Sequence, residues 1–349
     1  MAPVGVIGWF EDIGLRDRAE VGGKGGSLGE LTRAGIAVPP GFVVRTRAFE
    51  QFIGSLEEES PVRARVEALR ADDLDGIRAC AADLRARVCA APLPPALAAE
   101  LTTTHASLRD RAGQPDVAVR SSATTEDASD ASFAGLQDTY LWVADAQRML
   151  ERLRACWASL YSVESISYRR HRGIAERDVA MAVVVQAMVD SRAAGVMFTR
   201  SPTTGDRSVV TIEGAWGLGS AVVGGEVTPD RWVLGKITGE ISVREISDKH
   251  IEHRRARVGG VETVEVEVAR RREPCLADAQ LEQLRQVARQ VERHYGCAQD
   301  IEWAIDARGQ LLLLQSRPET VWSSKESAPT ARASADPLSH VMSIFGGRR

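Results

Sequence analysis

Stretches with helical periodicity alternate with short apolar segments along most of the chain. Residues 47–111 are rich in Ala, Leu and Arg and predict helices, which the prolines within 92–95 interrupt. Residues 146–172 predict one strong helix, and the continuous apolar run 180–188 that follows is typical of a buried strand. A last helix is predicted over 277–295.

A short helix, several strands and a tail complete the pattern. Residues 27–35 place Leu28 and Leu31 on one helical face, with Gly35 as the residue that ends the helix. The polar, small-residue composition of 323–349 predicts a flexible tail. Strands are predicted at 41–44, 117–120, 139–143, 195–199, 208–213, 231–234, 241–246, 300–305 and 310–315.

Composition and charge narrow the class of protein. The 349 residues are 44% hydrophobic and 26% charged, which is typical of a soluble protein of two or three packed units. A net charge of −4 argues against a general nucleic-acid binder, and the longest apolar run, 179–189, is too short to span a membrane. No secretory signal and no C-x-x-C pair are visible, so we expect a cytoplasmic protein with reduced thiols. His250 and His253 lie in the charged stretch 248–257, where we expect a solvated face rather than a metal site.

A run of glycines around one lysine is the first candidate for chemistry. It spans residues 20–29, reads EVGGKGGSLG, and has Lys24 at its centre where a helix is predicted to start. Glycine N–H groups, a helix N-terminus and a lysine together suit a phosphate group. The pattern matches neither the phosphate loop nor the dinucleotide fingerprint, so a flexible turn with a solvated lysine is the alternative.

Two further segments add candidates for phosphate binding. Arg120 ends an apolar strand and is followed by two serines. Its planar guanidinium group suits bidentate phosphate binding, while an ordinary strand-end salt bridge is the alternative. A second small-residue loop runs from Ser132 to Thr139; it either folds over a triphosphate or is a plain connection.

Two segments are candidates for holding a nucleoside. Gln186, Met188 and Val189 come at the end of the buried strand, where apolar residues beside backbone donors and acceptors suit an adenine ring. A core strand in which a methionine fills space is the alternative. Glu213 precedes a glycine-rich turn; it either faces a ribose or purine, or the turn needs glycine for its backbone geometry alone.

The final hairpin carries candidate metal-binding groups. Alternation puts Glu302 on the face opposite Trp303, and with a suitable register Glu302, Gln315 and Arg317 point the same way. A carboxylate and an amide oxygen suit Mg²⁺, and an adjacent arginine suits the phosphates that the ion bridges. A salt bridge between Glu302 and Arg317 on a solvated sheet face is the alternative.

Together these motifs resemble those of a known family. The segments are GGKGG at 22–26, VRSSATTED at 119–127, SFAG at 132–135, GVMFT at 195–199, WGLG at 216–219, DIEW at 300–303 and QSRPET at 315–320. In this order, over about residues 10–322, they resemble the nucleotide-binding domain of the phosphoenolpyruvate synthase / pyruvate phosphate dikinase family. Leu136 and Ser220 depart from the polar residue and the glutamate that are common there.

The resemblance implies an α+β, ATP-grasp-like fold in which two or three α/β lobes clamp a nucleotide. N-terminal lobes over 1–200 would carry the phosphate-binding Lys and Arg and the covering loop. A C-terminal lobe over 201–322 would carry the metal- and phosphate-binding hairpin, ahead of the tail at 323–349. The implied catalytic residues, which act by position and charge rather than as nucleophiles, are Lys24, Arg120 and Arg317.

By the same resemblance the cofactors are ATP and Mg²⁺. Glu302 and Gln315 would bind the metal, and Arg317 would stabilise charge on the transferred phosphate. The implied ATP-binding set is Lys24, Arg120, Ser132, Gly135, Thr139, Gln186, Met188, Val189, Glu213, Glu302, Gln315 and Arg317.

The implied function is that of a dikinase-type, ATP-dependent phosphotransferase. Such a domain binds Mg-ATP and transfers a phosphoryl or pyrophosphoryl group to a histidine on a swivelling partner domain or subunit, releasing AMP and phosphate. Neither the histidine motif nor an acceptor barrel is visible in this sequence, which is similar in that respect to the ATP-binding subunit of phenylphosphate synthase. We therefore expect a histidine-bearing partner. A stand-alone ATP-grasp kinase or ligase, or a nucleotide-sensing module without turnover, is the alternative.

Overall fold

The computed structural model describes residues 5–113, 116–124 and 138–322. Its strands are β1 (Ile7–Trp9), β2 (Gly41–Val44), β3 (Val117–Ala123), β4 (Thr139–Val143), β5 (Met181–Ala187), β6 (Ser191–Phe198), β7 (Val209–Trp216), β8 (Asp230–Gly235), β9 (Ile241–Glu245), β10 (Ile251–Arg255), β11 (Val261–Glu265), β12 (Gln299–Asp306) and β13 (Leu311–Pro318). Its α-helices are α1 (Arg18–Arg33), α2 (Thr46–Glu57), α3 (Arg63–Glu67), α4 (Leu74–Ala90), α5 (Pro95–Ala112), α6 (Ala146–Ser159), α7 (Val163–Arg172), α8 (Ser220–Val223) and α9 (Asp278–Tyr295).

The first sheet has the strand order β1-β2-β5-β3-β4, and its pairings are antiparallel. Strand β5 lies in the middle and is buried along its whole length, which explains its continuous apolar sequence. Its alternate residues face opposite sides. Val183 and Val185 pack in the core formed with α2 and α4 to α7, whereas Ala182 and Val184 pack against α1.

The second sheet has the order β13-β12-β6-β7-β8-β9 and is also antiparallel. One of its faces packs on α9 through apolar side chains that include Met197, Trp232 and Trp303. Because side chains alternate along each strand, residues in register share a face. One such row on the face opposite α9 consists of Gln315, Glu302, Val196, Glu213 and Arg231.

Helix α1 ties the two sheets together. It packs on β5, and the hydroxyl of its Ser27 donates to the Ser316 carbonyl of β13 at 2.5 Å. The hydroxyl of Tyr295, at the end of α9, donates to the Ser27 carbonyl at 3.2 Å. The glycine run and the final hairpin are therefore neighbours, although 289 positions separate the two serines.

The observed elements confirm most of the predicted ones, with two corrections. The predicted helix 146–172 is two helices, because the chain turns at 160–162 and the Ser162 hydroxyl starts α7 by accepting from the Ser165 N–H at 3.1 Å. The stretch 248–257, expected to be a solvated face, contains strand β10, and His253 within it is only 7% exposed. His250, Arg254 and Arg255 are exposed, as expected for a solvated face, so the correction concerns the burial of His253, which the polar sequence does not reveal.

The helices packed on two antiparallel sheets confirm the α+β class, and two lobes that meet along a cleft agree with an ATP-grasp-like clamp. The first sheet ends at Ala187 and the second begins at Ser191, so the sheets divide before the boundary expected at residue 200. The expected tail at 323–349 lies outside the described residues. Within the described ranges, no helix combines the length and the apolar character that a bilayer crossing requires.

Candidate active site

A cleft between the two sheets collects many of the candidate residues. We call it the interlobe cleft; the predicted site residues that line it are Arg120, Thr139, Gln186, Met188, Val189 and Glu302. A second hollow, which we call the glycine-loop hollow, is lined by Lys24, Gln315 and Arg317. Strand β13 contributes to both walls, through Leu314 in the cleft and Gln315 in the hollow. The two spaces therefore adjoin at the hairpin.

The glycine run forms a kink inside α1. Gly22 has a φ of +70°, and a Cβ at this position would lie 2.1 Å from the carbonyl oxygen of Ser122, so only glycine fits. The Ser122 hydroxyl donates to the Val21 carbonyl at 2.9 Å and accepts from the Gly25 N–H at 3.1 Å. Packing against the first sheet thus accounts for the kink, while the buried Lys24 lines the hollow.

Arg120 is the centre of a charged cluster between the lobes. Its Nη2 donates to Glu302 Oε2 at 3.0 Å and to Gln315 Oε1 at 2.7 Å, and its Nη1 donates to the Leu314 carbonyl at 2.8 Å. Its buried Nε finds no hydrogen-bond acceptor within 5–113, 116–124 and 138–322. A buried donor without an acceptor costs free energy, so the hydrogen-bonding capacity of Arg120 is not fully used in this arrangement.

Arg317 pairs with Asp300 rather than with Glu302. The register sets Asp300 opposite Arg317 and Glu302 opposite Gln315, so the predicted shared face is confirmed. Arg317 Nε lies 3.4 Å from Asp300 Oδ2, and the alternative of a Glu302–Arg317 salt bridge is wrong. Burial raises the pKa of Asp300 to about 6, although the neighbouring Arg317 opposes this shift. The Arg317 side chain is 54% exposed and borders the glycine-loop hollow.

The other end of the interlobe cleft is apolar. Its cluster consists of Ala118, Trp142, Met188 and Leu218, with Leu141 packed against it. The Met188 N–H donates to the Asp116 carbonyl at 3.0 Å, and Gln186 Nε2 donates to the Pro39 carbonyl at 3.3 Å. Backbone pairing therefore fixes the strand end on which Met188 lies. Ala118, Leu141 and Leu218 were not predicted as site residues, because apolar side chains from separate segments carry no chemical signature of their own, even where, as for Leu218, the segment is a recognised motif.

Of the predicted site residues that the structure describes, Glu213 is not brought to either space. Its carboxylate lies 4.0 Å from Arg231 Nε, and burial raises its pKa. It shares a sheet face with Glu302, but Val196 stands between the two in the row. Ser132 and Gly135 lie outside the described residues.

Glu302 and Gln315 fit a hard divalent cation. They face each other in register, and both present oxygen atoms to the same arginine group. Mg²⁺ at phosphate-binding sites commonly takes one or two protein carboxylates and completes its shell with phosphates and water. The described residues contain no group of three or more His, Cys, Asp or Glu suited to a metal, so an ion here would need oxygens from its ligand.

A comparison with known protein families identifies the class of domain to which this chain belongs. The family described as "Pyruvate phosphate dikinase, AMP/ATP-binding domain" matches residues 18–336. The chain belongs to this family. The match confirms the resemblance inferred from the motifs and confirms ATP as the nucleotide of this class of domain.

Curated relatives cover most of this chain. It is 42% identical over 312 residues to the rifampicin phosphotransferase of a Streptomyces species, an alignment that covers 89% of this chain and 35% of that protein. It is 40% identical over 316 residues to a probable phosphoenolpyruvate synthase of Methanothermobacter thermautotrophicus, covering 90% and 46%. It is 36% identical over 366 residues to the phosphoenolpyruvate synthase of Pyrococcus furiosus, covering 93% and 45%. The chain thus spans less than half the length of these relatives.

Proposed function

We propose that this chain binds Mg-ATP in the interlobe cleft and transfers a phosphoryl or pyrophosphoryl group to a histidine on a swivelling partner domain or subunit. When a pyrophosphoryl group moves to the histidine, AMP leaves; water then cleaves the outer phosphoryl group, which releases phosphate and leaves a phosphohistidine. The observation that carries the proposal is the Arg120 cluster, in which an arginine of the first sheet meets two oxygen ligands of the second. The relatives named phosphoenolpyruvate synthase and rifampicin phosphotransferase support the same reaction class.

Each end of the cleft has a part in this proposal. The base packs in the apolar cluster beside Met188 and Leu218, where it is removed from water. The triphosphate extends toward Arg120, Lys24 and Arg317, whose fixed positive charges stabilise the charge that develops during transfer. Ser132, Gly135 and Thr139 are proposed to cover the phosphates.

Glu302 and Gln315 would hold Mg²⁺, which when bound supplies charge neutralisation to the phosphates. Arg120 now donates to the oxygens that the ion requires. A bound ion would compete with Arg120 for the lone pairs of these oxygens, so we propose that Arg120 exchanges them for phosphate oxygens when the nucleotide binds. Its Nε, which has no acceptor among the described residues, gains one in this exchange.

We also propose a partner domain, a cellular location and a division of roles between the lobes. A histidine-bearing swivelling domain fits a site whose assigned residues bind and polarise phosphate but include no nucleophile. We propose that the reaction takes place in the cytoplasm and that no nucleic acid or membrane is involved. We also propose that the expected units 1–200 and 201–322 divide the work, with β6 of the first range joining the sheet of the second. Glu213 is proposed to approach the nucleoside only if the lobes close, because it lines neither space here.

The test is the product of turnover with and without a partner. Purified chain is incubated with Mg-ATP, alone and with a histidine-bearing swivelling domain of a phosphoenolpyruvate synthase added as a separate chain, and nucleotides are separated by chromatography. We expect AMP only when both proteins are present. Rapid formation of ADP or AMP by the chain alone with a small acceptor would refute the partner-dependent reaction and support a stand-alone kinase or ligase.

A further inference from the structure

A buried histidine stands behind the glycine-rich turn that forms one wall of the interlobe cleft. Gly217 has a φ of +73° and lies so close to β10 that a Cβ would be 2.4 Å from the His253 carbonyl oxygen. The Leu218 N–H donates to the same oxygen at 2.9 Å. The His253 ring then reaches Ser220, with 2.8 Å between Nδ1 and the serine Oγ. One residue therefore fixes both the backbone of the turn and the hydroxyl that follows it.

The groups around the His253 ring determine which atom is the donor in its hydrogen bond with Ser220. The second ring nitrogen of His253, Nε2, is buried and lies 3.4 Å from the Glu226 carboxylate. A nearby negative charge favours the proton on Nε2, which leaves Nδ1 of a neutral ring as an acceptor. The Ser220 hydroxyl then donates its proton to Nδ1. Its lone pairs stay available to accept a hydrogen bond from a molecule in the cleft.

Ser220 lies between the apolar and the charged parts of the cleft wall. It follows Leu218 of the apolar cluster by two positions. The intervening Gly219 lies over β6, where a Cβ on it would be 3.6 Å from the Ala194 Cβ. Two residues further along β6, Val196 is in register with Glu302 of the charged cluster. In a nucleotide the sugar likewise lies between the base and the phosphates.

We propose that Ser220, held by His253, accepts a hydrogen bond from a ribose hydroxyl and gives the site its preference for a ribonucleotide. The proposal rests on the proposed function, since it takes the nucleotide to lie along the cleft with its base at Met188. Ser220 is a specificity-determining residue in this account. His253 is a positioning residue that acts through it.

A second serine in the same wall provides a matched control. Ser191 also lines the cleft and also holds the turn, because its hydroxyl donates to the Gly217 carbonyl at 2.9 Å. Its contact is with the turn backbone, not with a group that orients it toward the sugar. Ser191→Ala therefore removes a hydroxyl group of the same size and a contact to the same turn. Because it leaves the proposed sugar contact intact, it shows the effect of loosening the turn alone.

The experiment measures Kd by calorimetry, in the presence of Mg²⁺, for ATP, 2′-deoxy-ATP and 3′-deoxy-ATP. We expect the wild-type chain to bind ATP about threefold to tenfold more tightly than at least one deoxy analogue, the worth of one neutral hydrogen bond. Ser220→Ala should weaken ATP binding by that factor and abolish the discrimination, whereas Ser191→Ala should keep the ratio. His253→Ala should lose most of the discrimination, and His253→Asn, which keeps a polar group near the Nδ1 position, should restore part of it.

The outcomes separate this inference from the function on which it rests. Tight ATP binding with an unchanged ratio in a folded Ser220→Ala variant would overturn the role of Ser220 alone. A wild-type chain that does not bind ATP would overturn the proposed function together with it. Ser220→Thr keeps a hydroxyl, so it should retain discrimination; loss of the ratio in both Ser220→Thr and Ser191→Ala would show that the turn acts only as a structural element.

Discussion

The apolar end and the charged end of the interlobe cleft are stabilised by different interactions. At the apolar end, Met188 and Leu218 pack in a cluster, and the polar groups of the strand are already paired with backbone. At the charged end, Arg120, Glu302 and Gln315 pair with one another across the lobes. The first end is preformed by core packing, which contributes to stability as well as to binding. At the charged end, hydrogen bonds between side chains must be replaced by hydrogen bonds to the ligand. Substitutions there should therefore affect function more than stability.

The largest expected effect comes from Arg317. Replacing it with alanine should lower the rate of partner-dependent AMP formation by a factor of about 1,000, because it removes a charge that acts on the transferred phosphate. Affinity for ATP and the free energy of unfolding should change little, since the Arg317 side chain is 54% exposed and pairs with Asp300 only at 3.4 Å. Arg65→Ala, which removes an exposed pair with Asp83, is the control. Turnover equal to wild type would refute the assigned role.

The packing of α1 on the first sheet should respond to a change at Gly22. Gly22→Ala should lower the free energy of unfolding by about 3 kcal/mol, because it adds a Cβ 2.1 Å from the Ser122 carbonyl at a φ of +70°. Gly35→Ala is the matched control: its φ is +71°, but nothing lies within 4 Å of the added Cβ, so about 1 kcal/mol is expected. Denaturant titration measures both. Equal losses would mean that close packing against Ser122 contributes nothing.

Arg120→Ala tests the charged end by affinity rather than by rate. We expect Mg-ATP to bind about 10- to 100-fold more weakly in calorimetry, as is usual when a charged hydrogen-bonding group is lost. The midpoint of thermal unfolding should shift by only a few degrees, since Glu302 is partly exposed and regains water as a partner. A large loss of stability with unchanged affinity would mean that Arg120 is a structural link between the lobes instead.

Met188→Ala provides the opposite pattern at the apolar end. The side chain is 7% exposed, so we expect a loss of about 2 kcal/mol in the free energy of unfolding. Affinity for the nucleotide should fall about tenfold, because the base loses part of the surface on which it packs. Denaturant titration and calorimetry on the same preparation measure the two effects. If only affinity changed, the apolar end would not be part of the core.

Sequence periodicity predicted the hairpin face correctly for a physical reason. Side chains alternate strictly along a strand, so the shared face of Glu302, Gln315 and Arg317 followed once the register was known. The partners of these residues could not be predicted in the same way. Arg120 reaches Glu302 from the other sheet, across 182 positions, and a contact of that kind depends on how two lobes pack.

The glycine run shows a second limit of reading a motif alone. Its composition indicated phosphate binding, yet the kink at Gly22 is explained by the approach of Ser122 from β3. His253 was placed on a solvated face because its neighbours in sequence are charged. Burial of that histidine comes from the turn at 217–220 that packs on it, which no local pattern in β10 reveals.

A crystal structure of this chain with Mg²⁺ and a non-hydrolysable ATP analogue would show directly how the nucleotide lies in the interlobe cleft. We expect the base to lie against Met188 and Leu218, and the phosphates to lie against Arg120, Lys24 and Arg317. Arg120 should then have left Glu302 and Gln315, whose oxygens should face the ion. A nucleotide bound outside the interlobe cleft, or with its base at the charged end, would contradict the assignment of the cleft.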